Sequence, residues 1–272
     1  MNNENENVRK RRIKNEKRRE KRKEKKQKKK RNKNIFFDIL ILFFLVLMLV
    51  SGRYILKYYL DVKKNKDISN EIEQIINDKT KDNKISSINL SKLKEKNKDS
   101  KFILDFPNTG IKNVVVQTNN NDYYISHDFN KKYNMSGWIF ADYRNKLNGE
   151  DLNIIIYGHN MRDGKTMFSP LMKLAKNNYI NNMSDKDKII YISNDKKVEK
   201  YKIFSIYQDK DESINLRTPV IENELKKYAL EMQKRSMYNL NEDISGIKKM
   251  ITLATCGKTN ADRVIIHAYK IK

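Results

Sequence analysis

The chain has 272 residues, enough for one sizeable domain with appendages. Charged residues make up 34% of it, and 58 Lys and Arg against 34 Asp and Glu give a net charge of +24, so much of the sequence cannot belong to a core. A single cysteine excludes an internal disulfide, and one Cys with three scattered His argues against a zinc site; no metal or other cofactor is expected.

The first segment, residues 1–34, is a basic tail. It carries 18 of the Lys and Arg and five Glu, and therefore thirteen of the 24 net positive charges. Blocks of like charge stay extended and attract phosphate, which is compatible with a nucleic-acid-binding arm. The apolar run that follows favours a cytoplasmic tail that sets membrane topology and attracts anionic lipid.

Residues 35–60 are predicted to form a single transmembrane helix. The run "IFFDILILFFLVLMLVSG" is almost wholly apolar, and Arg53 and Lys57 can snorkel to the interface. A cleaved signal peptide is the alternative, but the positive region is too long for one and no small-x-small site follows. The positive-inside rule places the tail in the cytoplasm and everything after Lys57 outside the cell.

Residues 61–100 predict a helical linker region, with one or two short amphipathic helices. Residues 101–272 change to the period of strands and are predicted to form an extracytoplasmic domain. About eight short β-rich runs occur in it: "KFILDF", "IKNVVVQT", "NDYYIS", "LNIIIYGH", "DKIIYIS", "EKYKIFSIYQ", "KKMITLATC" and "RVIIHAYKI".

This number and spacing of strands favour a mainly β fold, an eight-stranded β-barrel with inserted helices, preceded by N-terminal helices and the transmembrane helix. Two helical inserts are predicted. They are "TMFSPLMKLAK" after "LNIIIYGH" and "IENELKKYALEMQKRSMYN" before "KKMITLATC".

Cys256 is the one candidate nucleophile. It ends the strand "MITLATC", which would hold its sulfur at the barrel rim, and Arg263 opens the next strand seven residues later. A guanidinium beside a thiol lowers its pKa and can hydrogen-bond a developing oxyanion. A solitary Cys in a β-rich domain is also often a small buried apolar residue, so both interpretations stay open on these residues alone.

Three histidines could serve as proton donor. His159 ends the buried run "LNIIIYGH" and is the candidate, because it too lies at a strand end. His127 lies in a polar turn and is expected to be a surface residue. His267 shares a strand face with Arg263, so it is either a neighbour of the site or a packed structural histidine.

Three segments together resemble one family. "TLATC" followed by Arg263 resembles the signature of sortases, the membrane-anchored cysteine transpeptidases of Gram-positive bacteria. "YGHN" followed by "MFSPL" is similar to the histidine segment of class B sortases, and "GWIFADYRN", residues 137–145, resembles another segment of that class. The resemblance covers about residues 68–272, with Trp138 and Ala254 as departures from a small residue and a serine.

The resemblance implies the chemistry of a transpeptidase. Cys256 would attack the Thr carbonyl in the C-terminal sorting motif of a secreted protein, of the Asn/Ser-Pro-x-Thr-Asn/Gly kind, and form a thioester. His159 would protonate the leaving amine and then deprotonate the incoming amine of a peptidoglycan precursor or a pilin. Arg263 would stabilise the oxyanions. Wall anchoring and pilus polymerisation use the same chemistry, and the sequence does not separate them.

Four further residues are candidates for substrate binding. Leu216, in "SINLRTPV", resembles the class B segment that lines the peptide cleft, and ordinary loop packing is its alternative. Thr255 would point away from the nucleophile's face, yet its backbone could contact substrate. Tyr157 and Asn160 flank His159 and are equally compatible with structural roles.

Two other classes of protein compete with the enzyme. The first is a non-catalytic, membrane-anchored extracytoplasmic β-barrel binding module with an inert Cys256, which thiol reactivity would distinguish. The second is a nucleic-acid-binding membrane protein, whose activity deletion of residues 1–34 would abolish. The enzyme hypothesis predicts no nucleic-acid partner; it predicts membrane lipid around residues 35–60, secreted proteins with a sorting signal, and an amine acceptor.

Overall fold

The computed structural model describes residues 2–77, 90–176, 179–209, 216–218, 221–256 and 263–272. The chain divides into two compact units, Met1–Lys57 and Tyr58–Lys272.

The first unit consists of most of helix α1 (Asn2–Asn77). Its apolar side chains from Ile35 onward are exposed, with Phe36 at 61% and Leu49 at 66%. Within the described residues this is the one helix long and apolar enough to cross a membrane, and its apolar window is not buried against protein. Exposed apolar side chains in a helix of this length are compatible with a single-pass membrane anchor.

The second unit begins with the last turns of α1. Ile68 and Ile72, one turn apart, are buried against the rest of the unit. One of the short helices expected within residues 61–100 is therefore the end of a longer helix. A short helix, α2 (Leu90–Lys96), follows and buries Leu90 and Leu93 in the same core.

Eight strands form a closed barrel, which confirms the predicted fold class. The strands are β1 (Ser100–Phe106), β2 (Ile111–Val116), β3 (Phe140–Ala141), β4 (Asn153–His159), β5 (Ile189–Ser193), β6 (Val198–Asp209), β7 (Met250–Cys256) and β8 (Arg263–Ile271). Their order around the barrel is β1-β2-β3-β4-β7-β8-β6-β5, with β4 and β7 parallel and β7 and β8 antiparallel.

Strand β4 is buried on both faces, which explains its unbroken aliphatic run. Ile154 and Ile156 pack in the main core, whereas Ile155 points the other way into a second apolar cluster. The second cluster lies under helix α3 (Glu222–Arg235), which contributes Leu225, Tyr228, Ala229 and Met232 to it. The helix thus covers the outer face of the strands that lead to the barrel rim.

One local expectation was wrong. "NDYYIS" forms a 3₁₀ turn, Tyr123–Ile125, because the Asn120 side chain accepts hydrogen bonds from the Asp122 and Tyr123 N–H groups and starts a turn. The eighth strand of the barrel is instead β3, which has only two residues and was not predicted. The first helical insert is a 3₁₀ helix, Ser169–Lys173, with Pro170 in its first turn.

Candidate active site

His159 and Cys256 are paired across neighbouring parallel strands. The β4–β7 register runs from Asn153 opposite Met250 to His159 opposite Cys256. Neighbouring strands lie about 4.8 Å apart, so the two backbones are adjacent where both strands end. The structure describes the backbone of Cys256; its side chain lies outside the described part of the chain.

Arg263 lies at the same end of the barrel, at the start of β8. The last paired residues of the antiparallel β7 and β8 are Ala254 and Ile265, two residues before Cys256 on one strand and two after Arg263 on the other. Arg263 is half-buried, and its backbone is also paired with that of Asp209 in the antiparallel β6–β8 register. The three predicted catalytic residues therefore come from three strand termini at one rim.

His159 is held from the side by a backbone carbonyl. Its side chain is buried, and Nε2 lies 2.7 Å from the carbonyl oxygen of Ile125. A carbonyl oxygen can only accept, so Nε2 carries the proton in this contact. The preceding Gly158 has no room for a side chain, because a Cβ there would lie 2.7 Å from Cγ of Phe168. The Phe168 contact thus restricts the backbone next to His159, and the Ile125 carbonyl orients its ring.

Thr255, next to the cysteine, ties β7 to β8. Its side chain is buried and its Oγ1 accepts a hydrogen bond of 2.9 Å from the N–H of Val264. This contact joins the residue before Cys256 to the residue after Arg263. The side chain of Thr255 therefore has a structural role, while a substrate contact by its backbone stays a prediction.

Tyr157 belongs to a polar cluster centred on the fully buried carboxylate of Asp142. Tyr157 donates its hydroxyl to Asp142 at 3.0 Å, and Arg144 donates two side-chain hydrogen bonds to the same carboxylate. Burial by itself would raise the pKa of Asp142, but the hydrogen bonds and charge of Arg144 outweigh it and hold that pKa below its usual value. Asp142, directly after β3, is thus an ionised anchor for Tyr157, which lies two residues before His159 on β4.

Leu216 is linked to this cluster through its backbone. Its carbonyl accepts a 3.0 Å hydrogen bond from Arg144, and its side chain is buried in the cluster under α3. Most of the surrounding segment, residues 210–215 and 219–220, lies outside the described residues. Asn160 is exposed and forms an isolated bridge with Met167.

The other two histidines do not join the rim. His127 stacks on the ring of Tyr123 at 4.1 Å. His267 is wholly buried, with Nδ1 2.9 Å from Oγ1 of Thr252, and burial lowers its pKa to about 3. It is therefore a structural histidine. Among the described residues no group of three His, Cys, Asp or Glu converges as a metal ion would require.

Comparison with known proteins identifies the family of this chain. A family model described as the sortase domain matches residues 104–271. Sortase B of Listeria monocytogenes is 31% identical over 220 residues, which cover 76% of this chain and 84% of the relative. A solved structure of Clostridium perfringens sortase B, 33% identical, superposes with a TM-score of 0.59 and covers 67% of this chain and 99% of that one.

These findings, together with the closed eight-stranded barrel, show that the chain belongs to the sortase family of cysteine transpeptidases. Within the family it is a class B sortase, because its named relatives are sortases B. Sortase B of Staphylococcus aureus is a further relative, 25% identical over 87% of this chain and 97% of its own length. Sortases act on proteins that carry a sorting signal and on amine nucleophiles.

Sequence reasoning missed the carbonyl of Ile125 and the Asp142–Arg144 pair. A backbone carbonyl has no sequence signature, so Ile125 could not have been found. Asp142 and Arg144 lie in "GWIFADYRN", one of the segments that carry the family resemblance, and an Asp two residues before an Arg was the available signal.

Proposed function

We propose that Cys256 is the nucleophile of this transpeptidase. Its thiolate attacks the Thr carbonyl carbon of a sorting motif of the Asn/Ser-Pro-x-Thr-Asn/Gly kind, the C–N bond breaks, and a thioester forms. The observation that carries the proposal is the register that pairs Cys256 with His159.

His159 handles the protons. As imidazolium it gives a proton to the departing amine, and as neutral imidazole it takes one from the incoming amine, which then attacks the thioester and releases the thiolate. The hydrogen bond from Nε2 to Ile125 leaves Nδ1 as the nitrogen that takes up and releases this proton. The proton count closes over one cycle.

Arg263 stabilises the oxyanion of each tetrahedral intermediate. Its position at the start of β8, level with the end of β7, supports this role. A guanidinium offers several donors in a fixed fork, which suits it to hydrogen-bond an oxyanion.

The peptide cleft is proposed to include Leu216, Thr255, Tyr157 and Asn160. The Asp142–Arg144 pair supports the first and third of these, because it joins the 216 backbone and the Tyr157 hydroxyl to one anchor. For Leu216 we propose that the backbone segment lines the cleft, since its side chain is buried. The acceptor is an amine of the cell wall or of a pilin.

For topology we propose a cytoplasmic tail over residues 1–34, an anchor over 35–60, a helical linker over 61–100 and an extracellular catalytic domain over 101–272. The apolar stretch of α1 and the basic residues before it support this arrangement. An anchored enzyme and substrate share a thin layer at the bilayer, which raises their effective concentration.

A thiol experiment tests the catalytic assignment. Because the chain has one cysteine, modification of the full-length protein in mild detergent by a small methanethiosulfonate reagent reports on Cys256 alone. We expect rapid modification and parallel loss of cleavage of a fluorogenic sorting peptide, and no turnover by Cys256→Ala. Turnover by folded Cys256→Ala would refute the assignment. A panel of peptides and amines then defines the motif and the acceptor.

A further inference from the structure

The segment that carries the His159 acceptor is built from the turn at Tyr123–Ile125 and the chain that returns beside it to Trp138. Trp138 donates its backbone N–H to the Tyr124 carbonyl at 2.8 Å, so the two arms are hydrogen-bonded together. The Ile125 carbonyl points from this structure to Nε2 of His159. Any shift of the segment therefore moves the hydrogen-bond acceptor of the histidine.

Gly137 leaves the space that the Ile125 carbonyl occupies. The residue has a φ of +54°, and a Cβ built on it would lie 2.6 Å from the oxygen of Ile125 and 2.4 Å from that of Tyr124. Real Cβ atoms do not approach oxygen so closely, so any side chain at 137 would displace the Ile125 carbonyl or strain the backbone. The requirement for glycine here is thus tied to the histidine.

Asn65, on α1, holds the returning arm of the segment at two points. Its Nδ2 donates to the Gly137 carbonyl at 2.7 Å, and its Oδ1 accepts from Nδ2 of Asn134 at 2.8 Å. The backbone N–H of Asn134 in turn donates to the carbonyl of Ser126, the residue after Ile125. Asn65 and Asn134 are both fully buried, so losing either partner would leave unsatisfied polar groups away from water.

The same helix makes two further polar contacts around the histidine. Asp61 accepts a 2.9 Å hydrogen bond from the N–H of Met135, and the hydroxyl of Tyr58 accepts one of 2.9 Å from the N–H of Arg162, in the loop after His159. The helix thus contacts both the segment that carries Ile125 and the loop that follows His159. Lys64 adds an ion pair with the buried Asp128.

We propose that Asn65 and Gly137 are positioning residues for His159, acting through the Ile125 carbonyl, so that the helix preceding the barrel is part of the catalytic apparatus. Asn65 fixes the segment, Gly137 lets the carbonyl approach, and the carbonyl fixes the ring with its proton on Nε2. The inference rests on the proposed role of His159 in proton transfer.

The test uses full-length protein in mild detergent, with Asn65→Ala and Gly137→Ala as the variants. Asn70→Ala is the matched control, because Asn70 is an exposed asparagine on the same helix. Ile72→Ala controls for lost stability, since it removes a buried apolar contact of that helix without touching the hydrogen bonds. Each protein is measured for kcat and KM on a sorting peptide and for the ¹⁵N shifts of the His159 ring, which report its tautomer.

Displacing a reacting group by about 1 Å can cost about 100-fold in rate. The 2.4 and 2.6 Å contacts at Gly137 must open by more than about half an ångström to reach ordinary contact distances, so we expect kcat of both Gly137→Ala and Asn65→Ala to fall at least about 10-fold. KM should change by less than about twofold, and the Nε2–H population should decrease. Asn70→Ala should match the unsubstituted protein, and Ile72→Ala should lose stability with its tautomer unchanged.

Folded Asn65→Ala with unchanged kcat and an unchanged His159 tautomer would overturn the proposal. If Gly137→Ala does not fold, Asn65→Ala decides alone. His159→Ala separates the two levels: full turnover by this variant would refute the catalytic role of the histidine, whereas its inactivity beside a fully active Asn65→Ala would refute the positioning only.

Discussion

Acid should destabilise the domain through His267. The imidazole is wholly buried, and its ring lies beside those of Tyr207 and Tyr228. Burial, with a smaller contribution from the positive charge of Arg235, lowers its pKa from 6.5 to about 3. The folded protein therefore keeps this ring neutral at pH 5, whereas the unfolded chain protonates it.

The sign and size of the effect follow from that difference. Between about pH 6.5 and pH 3 the unfolded state binds a proton that the folded state does not, so the free energy of unfolding decreases as the pH falls through this window. The slope is about 1.4 kcal/mol per pH unit, and the loss between pH 7 and pH 5 is about 2 kcal/mol.

The assay is urea unfolding at pH 7 and pH 5, followed by fluorescence of Trp138, the chain's one tryptophan, which is fully buried. His267→Gln has no imidazole to titrate and is the comparison. We expect it to be less stable at pH 7 but to lose about 2 kcal/mol less on acidification, while all other groups titrate equally in both proteins. Equal pH dependence of the two proteins would refute the argument.

Three substitutions test the rim. Arg263→Lys should reduce kcat/KM for a sorting peptide by about 100- to 1000-fold, because a point charge cannot replace the guanidinium fork; near-normal rates would exclude the oxyanion role. Thr255→Val should lower the free energy of unfolding by about 1–3 kcal/mol, since it leaves the buried Val264 N–H without an acceptor, and Thr255→Ser should restore most of it. Gly158→Ala should cost a similar 1–3 kcal/mol, because the new methyl group overlaps the Phe168 ring; a normal melting temperature would show that the ring moves freely.

The barrel could be predicted because its strands carry strong local signals. The aliphatic run of β4 and the β-branched and aromatic residues of β8 mark strands by themselves. The turn at Tyr123–Ile125 could not, because two tyrosines and an isoleucine suggest a strand and only the Asn120 side chain makes the turn. Strand β3, at two residues, is too short to show a period.

The sequence indicated that His159 and Cys256 lie at strand ends, but it did not indicate the contacts around them. Both "YGH" and "ATC" end predicted strands, which indicated a shared rim, but pairing between β4 and β7 depends on barrel order that no local pattern encodes. The contact of His159 with Ile125 is of the same kind. Asn65 lies 72 residues before its partner Gly137, within a stretch that reads as linker.

The parallel pairing of β4 with β7 has a consequence for when activity first arises. It joins segments that are remote in sequence, with β5, β6 and α3 between them, and such contacts form slowly because a large loop must close first. A chain that is still being synthesised lacks β7 beside β4. Under the roles proposed for Cys256 and His159, we expect their two strand ends to become neighbours only when synthesis is complete and the barrel closes, so that a partly synthesised chain forms no acyl intermediate.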